Sequence, residues 1–460
     1  MKVRIDSWSG FKKKSTIGDK YLTWLVCILL GYALLGRGFA YLGLAPIYIG
    51  EITLALGLLA WIFNRYALKV FELLTAWFLV GFMLWGCIRT LPYISKYGAD
   101  ALRDGVVWGY GVFAFIVATL LIAKPERLRI LIERYGRFIV LFSALMPVVL
   151  LLVLLYGEAL PRLPGAPVPI ADFRPGDVLV HLAGIAAFIL SGLGAAPLFV
   201  AVMMFINFPI TAFMGRGGTL AFLISIALIV CLRPLSTKVW RMLVVGALAV
   251  MIFAASGISI DVPGKERELS FEQIVSNIES VSTSEDAGAG GLQQTKQWRL
   301  DWWDKVIGYT FYGDYFLTGK GFGINLANED GFQVEEDDAL RSPHNGHLTI
   351  LARSGVPGLV LWLLLQLSWC FGMLGGYQRS RLRGQRKWAS MFLFLLAYWA
   401  AFLVNAAFDV YLEGPMGGIW FWTIYGVGLA AMWIYQYHPE TLVDYQRPSP
   451  RAQPLVTARR

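Results

Sequence analysis

His344 stands in RSPHNGHLTILARSG, residues 341–355, where a polar stretch ends and an apolar helix begins. Ser342 suits a helix cap and Pro343 the first helical position, which would put His344 in the first turn. Unpaired backbone amides and the helix dipole favour anions there. A titratable base would thus sit beside a seat for phosphate, the combination that group transfer from a phosphorylated donor requires. Two arginines complete the set. Arg216, in FMGRGGTLAF, lies at the end of an apolar run, where Gly215, Gly217 and Gly218 would let a large anion approach the backbone. Arg299 lies beside Trp298 and Trp302, and a guanidinium grips phosphate with two parallel hydrogen bonds. Plainer roles compete: Arg216 snorkelling to the membrane interface, Arg299 stacked on tryptophan as an interfacial anchor, and His344 merely solvated with His347 as the rival histidine.

The elements that must carry these residues are apolar helices. The 460-residue chain is 57% hydrophobic and 15% charged, with a mean hydropathy of +0.58, which is a membrane composition. Runs of roughly bilayer length fall at 21–43, 47–64, 70–91, 105–123, 137–156, 177–192, 195–213, 218–232, 238–258, 347–376, 388–408 and 416–437. They predict an all-α polytopic protein of about twelve spans. Only SGLGAAP separates the pair between 177 and 213, so ten or eleven spans stay open.

Orientation follows from the basic residues, because cytoplasmic loops retain positive charge. Lys12–Lys14, Lys20, Arg65, Lys69, Lys124, Arg127, Arg129, Arg134, Arg137, Arg233, Lys238, Arg241, Arg379, Arg381, Arg383, Arg386, Lys387 and the arginines of the tail then lie inside. The organisation predicted is a cytoplasmic segment 1–20, spans one to nine over 21–258, a long periplasmic loop 259–346, spans ten to twelve over 347–437, and a cytoplasmic tail 438–460. The net charge of +9 reflects this topology and anionic inner-leaflet lipid, and nucleic acid is not an expected partner. The first apolar run is too long for a cleaved signal and reads as an anchor. Cys27, Cys87, Cys231 and Cys370 all fall in or at apolar runs, which implies neither a disulfide framework nor a zinc site.

The loop has its own pattern. SFEQIVSNIESVS from Ser270 predicts a short surface helix behind a capping box, and SEDAGAGGLQ, 284–293, a break in regular structure. TKQWRLDWWDKVIGYTF from Thr295 puts Trp298, Trp302 and Val306 on one face, with Arg299 and Trp303 on the next, as in an amphipathic helix lying near the membrane surface. LTGKGFGIN lacks the strand–loop–helix context of a nucleotide site and predicts a tight glycine turn. Glu329, Asp330 and Glu335–Asp338 miss the spacing of a calcium loop and read as a solvated face.

Taken in order, GRGG around Arg216, Arg299 with its tryptophans, GKGFG, then HNGHL followed by GVPG resemble the O-antigen ligase and polymerase family of bacterial envelopes. These motifs occupy roughly 205–360, and each is short. The resemblance implies a GT-C glycosyltransferase fold in the inner membrane. It also implies transfer of a glycan from an undecaprenyl diphosphate carrier to an acceptor outside the cytoplasmic membrane, without a nucleotide sugar; two fixed guanidinium groups could stabilise the leaving diphosphate, so neither metal nor cofactor is expected. Arg216 and Arg299 would bind the diphosphate, and His344, in the HN-x-x-L pattern, would be the base of an inverting attack. The family's serine before the arginine is Gly215 here, so a hydroxyl contact does not carry over. The acceptor would be a lipid A core in a ligase, or a growing lipid-linked glycan in a polymerase.

Several residues are left for acceptor placement or structure: Asn345 and His347 beside the base, and Asp172, Asp177 and His181 near the start of one span. Asp409, with Glu413, flanks a short outer connection, as Arg37 and Glu51 flank another, and ion pairing would ease such charges. A glycan transporter would instead carry charges at mid-membrane depth and commonly show internal repeats, whereas these charges collect at one face and no repeat appears.

Overall fold

The computed structural model describes residues 16–45, 47–64, 66–212, 215–233, 290–334 and 338–442, with a few isolated positions between 240 and 269. In chain order the main helices are Ile17–Leu35 (α1), Ile49–Ile62 (α2), Leu74–Tyr97 (α3), Ala99–Gly109 (α4), Gly111–Ala123 (α5), Glu126–Tyr156 (α6), Pro175–Leu190 (α7), Leu198–Ala212 (α8) and Arg216–Leu232 (α9). Then follow Gly290–Phe311 (α10), Leu326–Asp330 (α11), Gly346–Leu382 (α12), Arg386–Ala406 (α13) and Pro415–Tyr437 (α14).

Helices α1, α3, α6, α12, α13 and α14 are long and apolar enough to cross a membrane, and α4 with α5, bent by 42°, form a seventh candidate. The other apolar helices, α2, α7, α8 and α9, have 14, 16, 15 and 17 residues. They fall short of the roughly 20 residues that cross a hydrocarbon core. The chain is thus a helical membrane protein, with fewer full-length spans among the described residues than the twelve expected. The run at 238–258 lies almost wholly outside those residues. SGLGAAP does separate two helices, since α7 stops at Leu190 and α8 begins at Leu198.

Helix α14 is the axis of the bundle, with 94% of its apolar window buried. Small residues allow it close neighbours: a Cβ on Gly426 would lie 2.5 Å from Ala114 O of α5. Without a hydrophobic drive between helices in lipid, such backbone approach supplies the packing. Basic residues of the short connections cluster at one end. There Arg127 and Lys124 meet Asp19 at 2.8 and 3.2 Å, and Arg381 donates to Leu232 O at the end of α9. At the opposite end α7 and α9 begin, α13 stops, and a second layer lies over the bundle.

That layer consists of α10, α11 and the start of α12 around a small core of Trp302, Val306, Leu326, Ala327, Leu340, Leu351 and Ala352. Its architecture corrects three expectations. Residues 290–293, expected to break structure, are helical. Trp302 does not face lipid; it is fully buried, stacked on Phe332, because α11 and α12 cover that face. Asp330, read as solvated, is buried between Lys320 Nζ at 2.6 Å and Trp302 Nε1 at 2.8 Å, while Glu329 is exposed. The helix expected from Ser270 lies outside the described residues, and Ile260–Asp261 pairs antiparallel with Glu268–Leu269.

Helix α12 is two helices in one. Gly355 breaks it at φ 69°, a conformation open to glycine. The carbonyls freed by the break are taken up by the GKGFG turn, Lys320 N reaching Ala352 O at 2.7 Å and Gly321 N reaching Arg353 O at 3.0 Å. Trp85 Nε1 donates to Ser354 O, and Val356 N to Phe316 O. Non-helical backbone next to a membrane needs such partners. The turn itself runs through left-handed Gly319, Gly321 and Gly323, as its composition predicts.

Candidate functional site

The short first half of α12 presents His344, though not as its first turn. Asn345 is the cap: its side chain accepts from His347 N at 3.0 Å and Leu348 N at 3.2 Å, so the helix starts at Gly346. His344 lies just outside, at φ 51°, in the left-handed region. For a residue with a side chain this costs about 1–3 kcal/mol, a strain that concentrates at functional sites. The flanks over-determine it, because Pro343 O is held by Trp303 Nε1 at 2.8 Å on one side and the Asn345 cap holds the other. The imidazole is left 23% exposed, with Nδ1 3.8 Å from Asp409 Oδ1 and the Trp298 ring 6.4 Å away.

The corner Phe408–Asp409, after α13, is where the candidate residues meet. Arg299 donates from Nη1 to Phe408 O at 3.1 Å, and its Nε is buried with no hydrogen-bond partner. Burial lowers the proton affinity of this guanidinium from its ordinary value, Asp409 opposes that, and Arg174 adds to it. An anion would relieve the strain. Arg216 is the first residue of α9, which the glycines bring in close. A Cβ on Gly217 would stand 2.5 Å from Phe408 Cβ, and one on Gly218 would stand 2.6 Å from Gly176 Cα. These glycines therefore serve protein packing rather than the approach of a ligand to the backbone, which corrects the sequence expectation. They bring the N-termini of α7 and α9 together, and two positive helix ends reinforce the arginines.

Arg174, not singled out from sequence, is the third arginine of the corner and pairs with Asp409. The signal was present: FRPGD places an arginine beside Pro and Gly at a helix start, as MGRGG does. Asp409 also accepts from Val410 N at 2.7 Å. Burial would raise its carboxyl, yet His344, Arg174 and that amide together hold it below the ordinary aspartate value.

The other candidates separate. His347 is structural in geometry: Nδ1 accepts from Trp362 Nε1 at 3.1 Å, so Nε2 donates to Leu403 O at 3.0 Å, and both ring nitrogens are used. His181 is enclosed by Phe138, Phe142 and Trp420, with Nδ1 2.8 Å from Tyr398 Oη, so it does not cluster with the aspartates near the helix start. Asp172 pairs with Arg37 at 2.7 Å. Asp177 stays near the corner, with Oδ2 accepting from Arg174 N at 3.4 Å and Oδ1 buried without a partner. Asn405 packs on Gly176 beside it, its Nδ2 also unpartnered. The expected pairing of charges does occur, but across connections: Arg37 bonds Asp172 rather than Glu51, which instead accepts from Tyr48 N. At Glu413, burial pushes the carboxyl up, against Arg353, Thr349 and Ser342.

A bundle of apolar helices with a cationic, histidine-bearing corner at one end defines a polytopic helical membrane protein. Residues 199–363 match the sequence model of a family described as O-antigen ligase, which is the family the motifs of that stretch resemble. Arg216, Arg299 and His344 all fall inside the matched stretch. No curated protein matches the chain.

Proposed function

We propose that this protein transfers a glycan from undecaprenyl diphosphate to an acceptor hydroxyl on the periplasmic side of the inner membrane, as an O-antigen ligase whose acceptor is a lipid A core. The observation that carries the reading is the convergence of Arg299, the Arg216 helix end, Arg174 and His344 on Phe408–Asp409. The orientation rests on the basic residues at the other end of the bundle. The arrangement of the helices is read as a GT-C glycosyltransferase fold.

His344 takes the acceptor proton as the oxygen attacks the anomeric carbon. The bond from that carbon to the diphosphate breaks, and its electron pair leaves on the diphosphate oxygen. Arg216, Arg299 and Arg174 stabilise the developing charge, as fixed cations in a partly dry site do. Asp409 orients His344 through Nδ1, leaving Nε2 free as the base; the 3.8 Å gap closes when substrate is bound. Attack opposite the diphosphate inverts the anomeric centre.

The test is transfer in vitro from a purified undecaprenyl diphosphate glycan to a lipid A core or to a second lipid-linked glycan, comparing the wild type with His344→Ala and Arg299→Ala. Loss of transfer in both variants supports the assignment, and product mass separates ligation from polymerisation. Equal transfer by all three proteins overturns it.

A further inference from the structure

We infer that the segment from Phe311 to Thr318 is a membrane-interface anchor, by which the second layer dips into the lipid leaflet of its own membrane. All eight residues are exposed. Five of them are apolar or aromatic: Phe311 is 41% exposed, Tyr312 86%, Tyr315 37%, Phe316 43% and Leu317 62%. Elsewhere in the layer Trp302 and Val306 are fully buried and the exposed apolar residues Leu300 and Val334 stand singly, whereas here the exposed apolar and aromatic side chains are contiguous.

What covers it follows from where it is tied. Thr318 O accepts from Arg89 Nε of α3 at 2.7 Å, and Phe316 O accepts from Val356 N, the first residue of the long half of α12. Both helices are membrane-crossing candidates, and both carry exposed apolar stripes. Leu84, Ile88 and Leu91 line α3; Val360, Leu363, Leu364 and Leu367 line α12. The exposed run therefore continues a surface that already faces acyl chains. The headgroup level is marked beside it, where Tyr93 and Tyr97 stack at 6.2 Å with Arg89 and Lys96 over their rings. Aromatic rings and long cations collect at that depth in membrane proteins. Asp314 and Thr318 are the polar members of the run.

The anchor bears on the site through the backbone. Two residues after Thr318, the glycine turn bonds to Ala352 and Arg353 on the short half-helix that presents His344. The depth of the anchor thus fixes the height of the histidine above the membrane.

The full chain, with Cys27, Cys87, Cys231 and Cys370 replaced by alanine, is reconstituted in phospholipid nanodiscs. It carries a single cysteine at Tyr312, Leu317 or Gln297, labelled with an environment-sensitive fluorophore. Gln297 lies about 20 Å from Phe311 along α10 and is exposed. The expected result is blue-shifted emission at 312 and 317, quenched by spin-labelled lipid but not by aqueous iodide, with the reverse at 297. A label at 317 that iodide quenches as strongly as at 297 overturns the inference. A second measurement needs no cysteine replacement: wild-type protein in nanodiscs is cross-linked with a photoactivatable phospholipid. Adducts are expected on the peptide spanning 311–318 and not on that containing 297, and adducts on neither peptide overturn the inference. Neither readout depends on glycan transfer, so the anchor and the catalytic reading stand or fall separately.

Discussion

Replacing Asp409 with asparagine keeps the shape of the corner while removing the carboxylate that meets both Arg174 and His344. The His344 imidazole becomes cationic as it takes the acceptor proton, and the carboxylate 3.8 Å away stabilises that cation. At an effective dielectric of about 20, two unit charges at that distance interact by about 4 kcal/mol, and about half of that remains if the dielectric doubles near water. With His344 and Asp409 side chains 23% and 18% exposed, the effect lies between these limits. Transfer should slow by about 30- to 1,000-fold, each 1.4 kcal/mol being a factor of ten. The assay is single-turnover transfer from a lipid diphosphate glycan in nanodiscs, under saturating donor, with thermal unfolding measured on the same preparation. A fall in turnover per folded molecule with an unchanged donor KM, alongside a modest drop in melting temperature from the lost pairing, is the expected pattern. Wild-type turnover in the asparagine variant would refute the positioning role, and so would a loss of rate fully matched by loss of folded protein.

His344→Ala should lower the transfer rate by about 100- to 10,000-fold, the usual range for a general base, and leave the melting temperature near wild type. His347→Ala should behave in the opposite way. It strands Trp362 Nε1 and Leu403 O, so unfolding measurements should show a loss of about 1–3 kcal/mol while folded molecules retain the chemistry. At Gly217 a larger side chain meets Phe408, and Gly217→Val should cost about 1–3 kcal/mol by overpacking, read as a lower melting temperature and weaker donor binding. Asp409 also sets an acid limit. Its folded pKa lies below the ordinary 3.8, so its contribution to stability is present above that value and is lost as pH falls through the lower, folded one. As the pH is lowered from the ordinary aspartate range, the melting curves of wild type and Asp409→Asn should therefore converge, and a constant gap down to the lowest pH would count against the pairing.

Sequence alone determined the solvent and the chemistry on offer. Hydropathy is a sum over neighbours in the chain, so the apolar runs, the break at SGLGAAP and the glycine turn at 319–323 were legible directly. Basic residues clustered in short loops pointed to one end of the bundle, and the motifs at Arg216, Arg299 and His344 were local enough to be seen. Helix length was legible only in part, since α2, α7, α8 and α9 stop short where caps and packing end them.

Tertiary structure decided which residues meet. Arg174 and Asp409 are 235 residues apart, and Arg299 and Phe408 are 109 apart, separations at which periodicity carries no information. It also sorted the two histidines of HNGHL, because Trp362 and Leu403 claim both nitrogens of His347, whereas a left-handed backbone turns His344 toward Asp409. Trp302 and Asp330 moved from surface to core for the same reason: burial depends on what α11 and α12 lay over them. A side chain's type sets what it can do, and its partners, chosen by the fold, set whether it is free to do it.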